Sequence, residues 1–215
     1  MTANTDLMGE AKKSLEGNWG IAIGAMLVYL IISAAAGFTW IGAIVLSGPL
    51  ALDYIFFNKQ IASGEEVKIE LLFEGFKNFL PALATYLLVA VFVFLWSLLL
   101  IIPGIIMGLA YSQSLYILSD EPEIGASDAI KKSRAMMDGY KLKLFGMMLL
   151  FMLLSFACVL TFGIGYLFLI PFMQVTMVKF YQDVKADYEG LQPAAEPVAP
   201  APEPAPAAPN ATPEA

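Results

Sequence analysis

The chain has 215 residues, 59% of them apolar and only 14% charged, with a formal net charge of −7. A water-soluble globule carries about a quarter charged residues, so this composition excludes an ordinary soluble domain and points into a membrane. With no His and a single cysteine, Cys158, internal disulfides, His/Cys zinc sites and histidine-based acid/base chemistry are excluded too.

Residues 1–18 are polar, and Leu7, Met8, Ala11 and Leu15 recur at helical spacing beside Lys12 and Lys13. That pattern predicts an amphipathic helix at the cytoplasmic interface. No cationic stretch runs into an apolar core with a cleavage signal, so no removable signal peptide is expected. Residues 19–58 form a first apolar block, long enough for two crossings of about 20 residues each. Its turn falls at 37–40, where Gly37 breaks the helical pattern and Trp40 suits the headgroup level. A loop at 59–78 follows, with Ile69, Leu72, Phe73, Phe76 and Phe79 forming a second amphipathic stripe.

The second block, 79–118, turns in one of two places. Pro103 and Gly104 suit a turn and a helix start, but leave a fourth span of only about 15 residues; Trp96 and Ser97 are the alternative. Residues 119–141 are basic, and the phrase AIKKSRAMMDGYKLKLFG at 129–146 carries five of the twelve Lys and Arg residues. Ala126, Ala129, Ile130, Ser133, Met136, Met137 and Tyr140 line one face of a predicted helix here, with Lys131, Lys132 and Arg134 elsewhere. The third block, 142–182, turns at 161–165. Residues 183–215 are read as a cytoplasmic tail, Ala/Pro-rich from 190 onward and disordered by composition.

All twelve basic residues lie outside the mid-block turns. Cytoplasmic loops retain Lys and Arg, so both termini are expected inside. The predicted fold class is an all-α integral membrane protein: six transmembrane helices as three repeated hairpins, each preceded by a cytoplasmic interfacial amphipathic helix. Lys12, Lys13, Lys131, Lys132, Arg134, Lys141 and Lys143 are expected on anionic lipid headgroups. The repeat is carried by an offset of 122, which sets Gly17 on Gly139, Gly24 on Gly146 and Pro49 on Pro171, while a three-residue slip sets Lys12-Lys13-Ser14 on Lys131-Lys132-Ser133. A weaker offset of 60 sets Asn18 on Asn78 and Gly48 on Gly108.

Asp53 is the one acidic residue inside a span, and an intramembrane carboxylate is a functional candidate. Through the repeat, Gln113 matches Asp53 and Gln174 lies within one residue of the same depth. If the second helix of each hairpin faces a common axis, these three form a polar collar, with Ser112, Ser114 and Thr176 nearby. Pro49 and Pro171 can kink the second and sixth spans, and the pairs Gly20/Gly24 and Gly104/Gly108 allow close helix contact.

The stretches AKKSLEGNWGIAI, IIPGII, YSQSLYILSDEPEIGASDAIKKSRAMMDGYKLKLF and GIGYLFLIPFMQVTMVKFY resemble the domain-of-unknown-function 975 family of bacterial multi-pass membrane proteins over residues 8–185. More remotely the chain is similar to the membrane domain attached to some glycerophosphodiester phosphodiesterases. The resemblance implies a bacterial plasma-membrane location and supplies no catalytic residue. No cofactor, metal or nucleic-acid partner is expected. The residues favour a non-enzymatic accessory or scaffold protein whose partners are membrane lipids and other membrane proteins; the alternative is a small transporter or lipid-handling carrier using Asp53, Gln113 and Gln174.

Overall fold

The structure, a computed structural model, describes residues 2–65, 67 and 75–191. The side chain of Trp40, most of the second amphipathic stripe (Ile69, Leu72 and Phe73) and the chain after 191 fall outside the described residues. These comprise nine α-helices and no strand: α1 Asn4–Leu15, α2 Trp19–Gly37, α3 Trp40–Ser63, α4 Phe79–Leu99, α5 Ile101–Tyr111, α6 Ser114–Asp120, α7 Ala126–Met136, α8 Lys141–Leu160 and α9 Tyr166–Leu191. Five helical runs are long and apolar enough to cross a membrane: Trp19–Gly37, Ile41–Ser63, Phe76–Leu99, Ile101–Asp120 and Lys141–Leu160. The sixth expected span, α9, is not among them, because Lys179, Asp183, Lys185, Asp187 and Glu189 crowd its second half. Helix α9 also runs on to Leu191, so residues 183–191 are helical rather than part of a disordered tail.

Local chemistry explains where the helices stop. Between α2 and α3, Thr39 caps α3 by accepting a hydrogen bond from the Gly42 N–H at 3.1 Å. Between α8 and α9, Gly163 takes a positive φ of 84°, and Thr161 Oγ1 accepts from the Gly165 N–H at 3.1 Å. The middle break is a single extended residue, Leu100. Pro103 then sits in the first turn of α5, where a missing N–H leaves no intrahelical bond unmade. With the break at Leu100 the fourth span is a full 20 residues, Ile101–Asp120. Ser97 and Gly104, one from each rival turn, face each other instead: a Cβ on Gly104 would lie 2.8 Å from the Ser97 Cα.

Helices α3, α5, α6 and α9 are central. Half of the apolar window in Ile41–Ser63 and in Ile101–Asp120 is buried, against 11–17% in Trp19–Gly37, Phe76–Leu99 and Lys141–Leu160. Helix α3 packs on α9, α6, α2 and α4, while α2 also meets α9 and α8 also meets α5. The amphipathic helices turn their apolar faces to protein: α1 buries Leu7, Ala11 and Leu15, chiefly against α9, and α7 buries Ala129, Ile130, Ser133 and Met136. Each leads into its span through a left-handed glycine, Gly17 at φ 86° and Gly139 at φ 82°. The residues capping α2, α4 and α8 have a similar φ, −109° at Asn18, −109° at Asn78 and −104° at Tyr140, with ψ of 4°, 38° and −5°.

Candidate functional site

Helices α3, α5, α6 and α9 place polar groups in the centre of the bundle. Asp53 is 1% exposed, and Gln113, Ser114 and Thr176 are at most 1% exposed. Gln174 is different. It is only half-buried, because it precedes by one residue the position equivalent to Asp53, and one residue turns a side chain about 100° around a helix. The buried polar residue of α9 is Thr176, whose hydroxyl donates to the Phe172 carbonyl at 2.7 Å. Gln113 lies at the α5–α6 break. Its side-chain amide donates to Ser112 Oγ at 2.9 Å, and its backbone N–H donates to Ser133 Oγ at 3.2 Å. Ser133 in turn donates to the Ala110 carbonyl at 2.8 Å, so the serine of the basic phrase pins α7 across this break.

The ends of these central helices are joined by ions that sequence reasoning did not single out. Asp120, the last residue of α6, accepts from Lys59 of α3, from Lys185 Nζ at 2.6 Å and from Tyr181 OH at 2.6 Å, the last two on α9. Lys59 also donates to Ser119 Oγ at 3.0 Å, and the Tyr181 ring stacks on Tyr116 at 5.4 Å. Burial alone would lower the Lys185 pKa, but the Asp120 carboxylate outweighs it and holds the ammonium above its ordinary value. Only the offset of 60, which sets Lys59 on Ser119, hints at this clasp in the sequence. Tyr54 stacks on Tyr29 at 4.8 Å and takes its place with Tyr116 and Tyr181 in one buried cluster.

A second clasp ties the N-terminal segment and α1 to α8 and α9. Asp183 accepts from Thr2 Oγ1 at 2.6 Å and from Lys143 Nζ at 2.7 Å, and Asn4 Nδ2 donates to the Lys143 carbonyl at 2.9 Å. Desolvation would raise the Asp183 pKa; the bonds from Lys143 and Thr2 prevail and hold it below the usual carboxylate value. Of the expected headgroup cations, Lys143 is thus engaged within the protein, and Lys132 pairs with Glu121. Lys131 and Lys141 bond Asp128 and Asp138, each at 2.9 Å, while Lys12, Lys13 and Arg134 are exposed. Lys131, Arg134 and Lys141 line an open cleft of about 350 Å³ with Ala135 and Asp138.

The glycine pairs behave unequally. Gly104 is in tight contact and Gly108 in ordinary contact with α4, whereas a Cβ on Gly20 or Gly24 would meet nothing within 4 Å. That corrects the expectation for the first pair: within this chain their face of α2 looks away from the other helices. The close approach that sequence reading missed is Gly48, whose Cβ would lie 2.6 Å from the Ala82 carbonyl oxygen of α4. Pro49 and Pro171 stand inside continuous helical runs and are buried.

A family described as a protein of unknown function, DUF975, matches residues 1–106 and again 98–188. The chain belongs to the DUF975 family. The two matched segments together take in every helix that could span a membrane, both clasps and the buried polar residues of this DUF975 protein. No curated protein and no solved structure matches it, and the more distant likeness to the membrane domain of glycerophosphodiester phosphodiesterases is not among the matches.

Proposed function

We propose that this protein is a non-enzymatic accessory or scaffold of the bacterial plasma membrane, which binds membrane partners and lipids. The observation that carries the reading is the contrast between centre and surface. The central polar residues are sealed and their helices clasped at Asp120, whereas an apolar perimeter and the basic cleft at Lys131, Arg134 and Lys141 stand open. Extraction from the native host into lipid nanodiscs, followed by mass spectrometry, tests it. A stoichiometric membrane partner is expected, and substrate turnover by the purified protein would refute the reading.

Six crossings with both termini in the cytoplasm, built as three repeated hairpins, belong to the same proposal. Lys143 lies in the first turn of α8, and Asp183 of α9 pairs with it, so α9 returns to the side that α8 leaves. The similar φ at the caps Asn18, Asn78 and Tyr140, and the left-handed Gly17 and Gly139, support the repeat. A carrier is the second reading, favoured by fully buried Asp53 and Gln113 in central helices, with Gln174 at the margin; it requires that Asp53→Asn abolish a measurable flux.

A further inference from the structure

The basic cleft has an apolar neighbour. Ile102, Ile105, Ile106 and Leu109 of α5 and Leu142 and Phe145 of α8 line a second cleft of about 400 Å³, and Lys141 lines both. We infer that these adjoining clefts form one binding site for an anionic phospholipid, with the phosphate over Lys131, Arg134 and Lys141 and an acyl chain between α5 and α8. The inference rests on the lipid-binding part of the proposed function and gives it a place and a chemistry.

Charge supports the assignment. Three cations face Asp128 and Asp138, and both carboxylates are largely exposed, at 66% and 83%. Exposed pairs at this helical spacing hold weakly, so an incoming phosphate can replace them. Lys132 and Lys143, the other bases of the phrase, are committed to Glu121 and Asp183. The apolar face of α7 is buried in protein, so its cations are held by the fold at a fixed position beside the first residue of a spanning helix. A water-soluble acidic segment would satisfy the cations but leave the apolar cleft unfilled; a phospholipid matches both halves.

The test uses the full chain in neutral detergent micelles, with bound lipid counted by native mass spectrometry. The probes are dioleoyl phosphatidylglycerol, dioleoyl phosphatidylcholine, short-chain dihexanoyl phosphatidylglycerol and free glycerol 3-phosphate. The dioleoyl anionic lipid is expected to bind at least about tenfold more tightly than phosphatidylcholine, and K131Q/R134Q to lower that binding about 25-fold, from roughly fivefold for each of the two cations near a headgroup. Ile105→Ser with Ile106→Ser, both at half-exposed positions, is expected to weaken the dioleoyl form while leaving the dihexanoyl form unchanged. Equal binding of the two dioleoyl lipids, no effect of K131Q/R134Q, or glycerol 3-phosphate binding as tightly as the lipid would each overturn the site. Lipid selectivity in micelles is read without any protein partner, so a missing partner in nanodiscs refutes the accessory reading while leaving this site intact.

Discussion

Asp183 is a single carboxylate holding three segments, since Thr2, the start of α8 and α9 all meet on it. Asp183→Asn removes the charge that Lys143 and Thr2 select, and the expected loss is about 2 kcal/mol, the range for a hydrogen bond to a charged group. Because the folded-state pKa is depressed, this stability is present above the ordinary carboxylate range and is lost as pH falls through the folded value. Thermal unfolding in detergent should therefore separate wild type from variant at pH 7 and bring them together below about pH 4. Glycines make an opposite pair of cases. Gly48→Ala drives a Cβ into the Ala82 backbone and should cost about 1–3 kcal/mol through overpacking. Gly20→Ala and Gly24→Ala meet open space, so replacing a helical glycine should stabilise by up to about 1 kcal/mol. Melting temperatures of the three variants check this, and a destabilised G20A would mean that α2 contacts a second molecule.

At the level of elements, the clasp at Asp120 joins α3, α6 and α9 through one carboxylate with two lysines. Asp120→Asn leaves Lys59 with the Ser119 hydroxyl alone and Lys185 with only the more exposed Glu189 at 3.7 Å. A fully buried pair broken this way costs about 3–5 kcal/mol, but these side chains are about a fifth to a quarter exposed, which reduces the expectation to about 2 kcal/mol. K59Q should cost nothing further in a D120N background, a non-additivity that a double-mutant cycle on melting temperature measures. Beyond the offset of 60 that sets Lys59 on Ser119, the clasp left no mark in the sequence, because it depends on three helix ends converging, which spacing along one chain does not encode. The turns at 37–40 and 161–165, by contrast, were legible, since Gly and Thr write them locally. The middle turn was ambiguous for a physical reason: Pro103 needs no hydrogen-bond donor in a first turn, so it marks a helix start three residues after the actual break at Leu100. Of the residues expected in the collar, Asp53 and Gln113 are buried, whereas a one-residue offset in α9 leaves Gln174 half-buried and Thr176 fully buried. The Gly20/Gly24 spacing failed similarly, because a small-residue motif says that two helices can approach without saying that they do.

The whole molecule turns on whether α9 crosses. Its uncharged stretch, 166–178, is short for a hydrocarbon core of about 30 Å, yet its far end is bound to Lys143 in the first turn of α8 and to Asp120 at the end of α6. Lipid exposure is not what α9 needs to tolerate, since Val175, Thr176, Val178 and Phe180 are buried by protein, and a central helix can carry polar groups that a peripheral one cannot. If α9 crosses, both clasps lie on one side of the membrane, which the proposed orientation makes the cytoplasm. With Cys158 as the only native thiol, Cys158→Ser provides a clean background for Phe162→Cys, at the apex of the α8–α9 turn and 99% exposed, and for Lys131→Cys on α7. An impermeant maleimide applied to intact cells should label position 162 and reach position 131 only after permeabilisation. Labelling of position 131 in intact cells would invert the protein and take the basic cleft away from the anionic cytoplasmic leaflet. Labelling of neither position until permeabilisation would mean that α8 and α9 enter and leave the membrane from the same side without crossing it, reducing the bundle to two crossing hairpins.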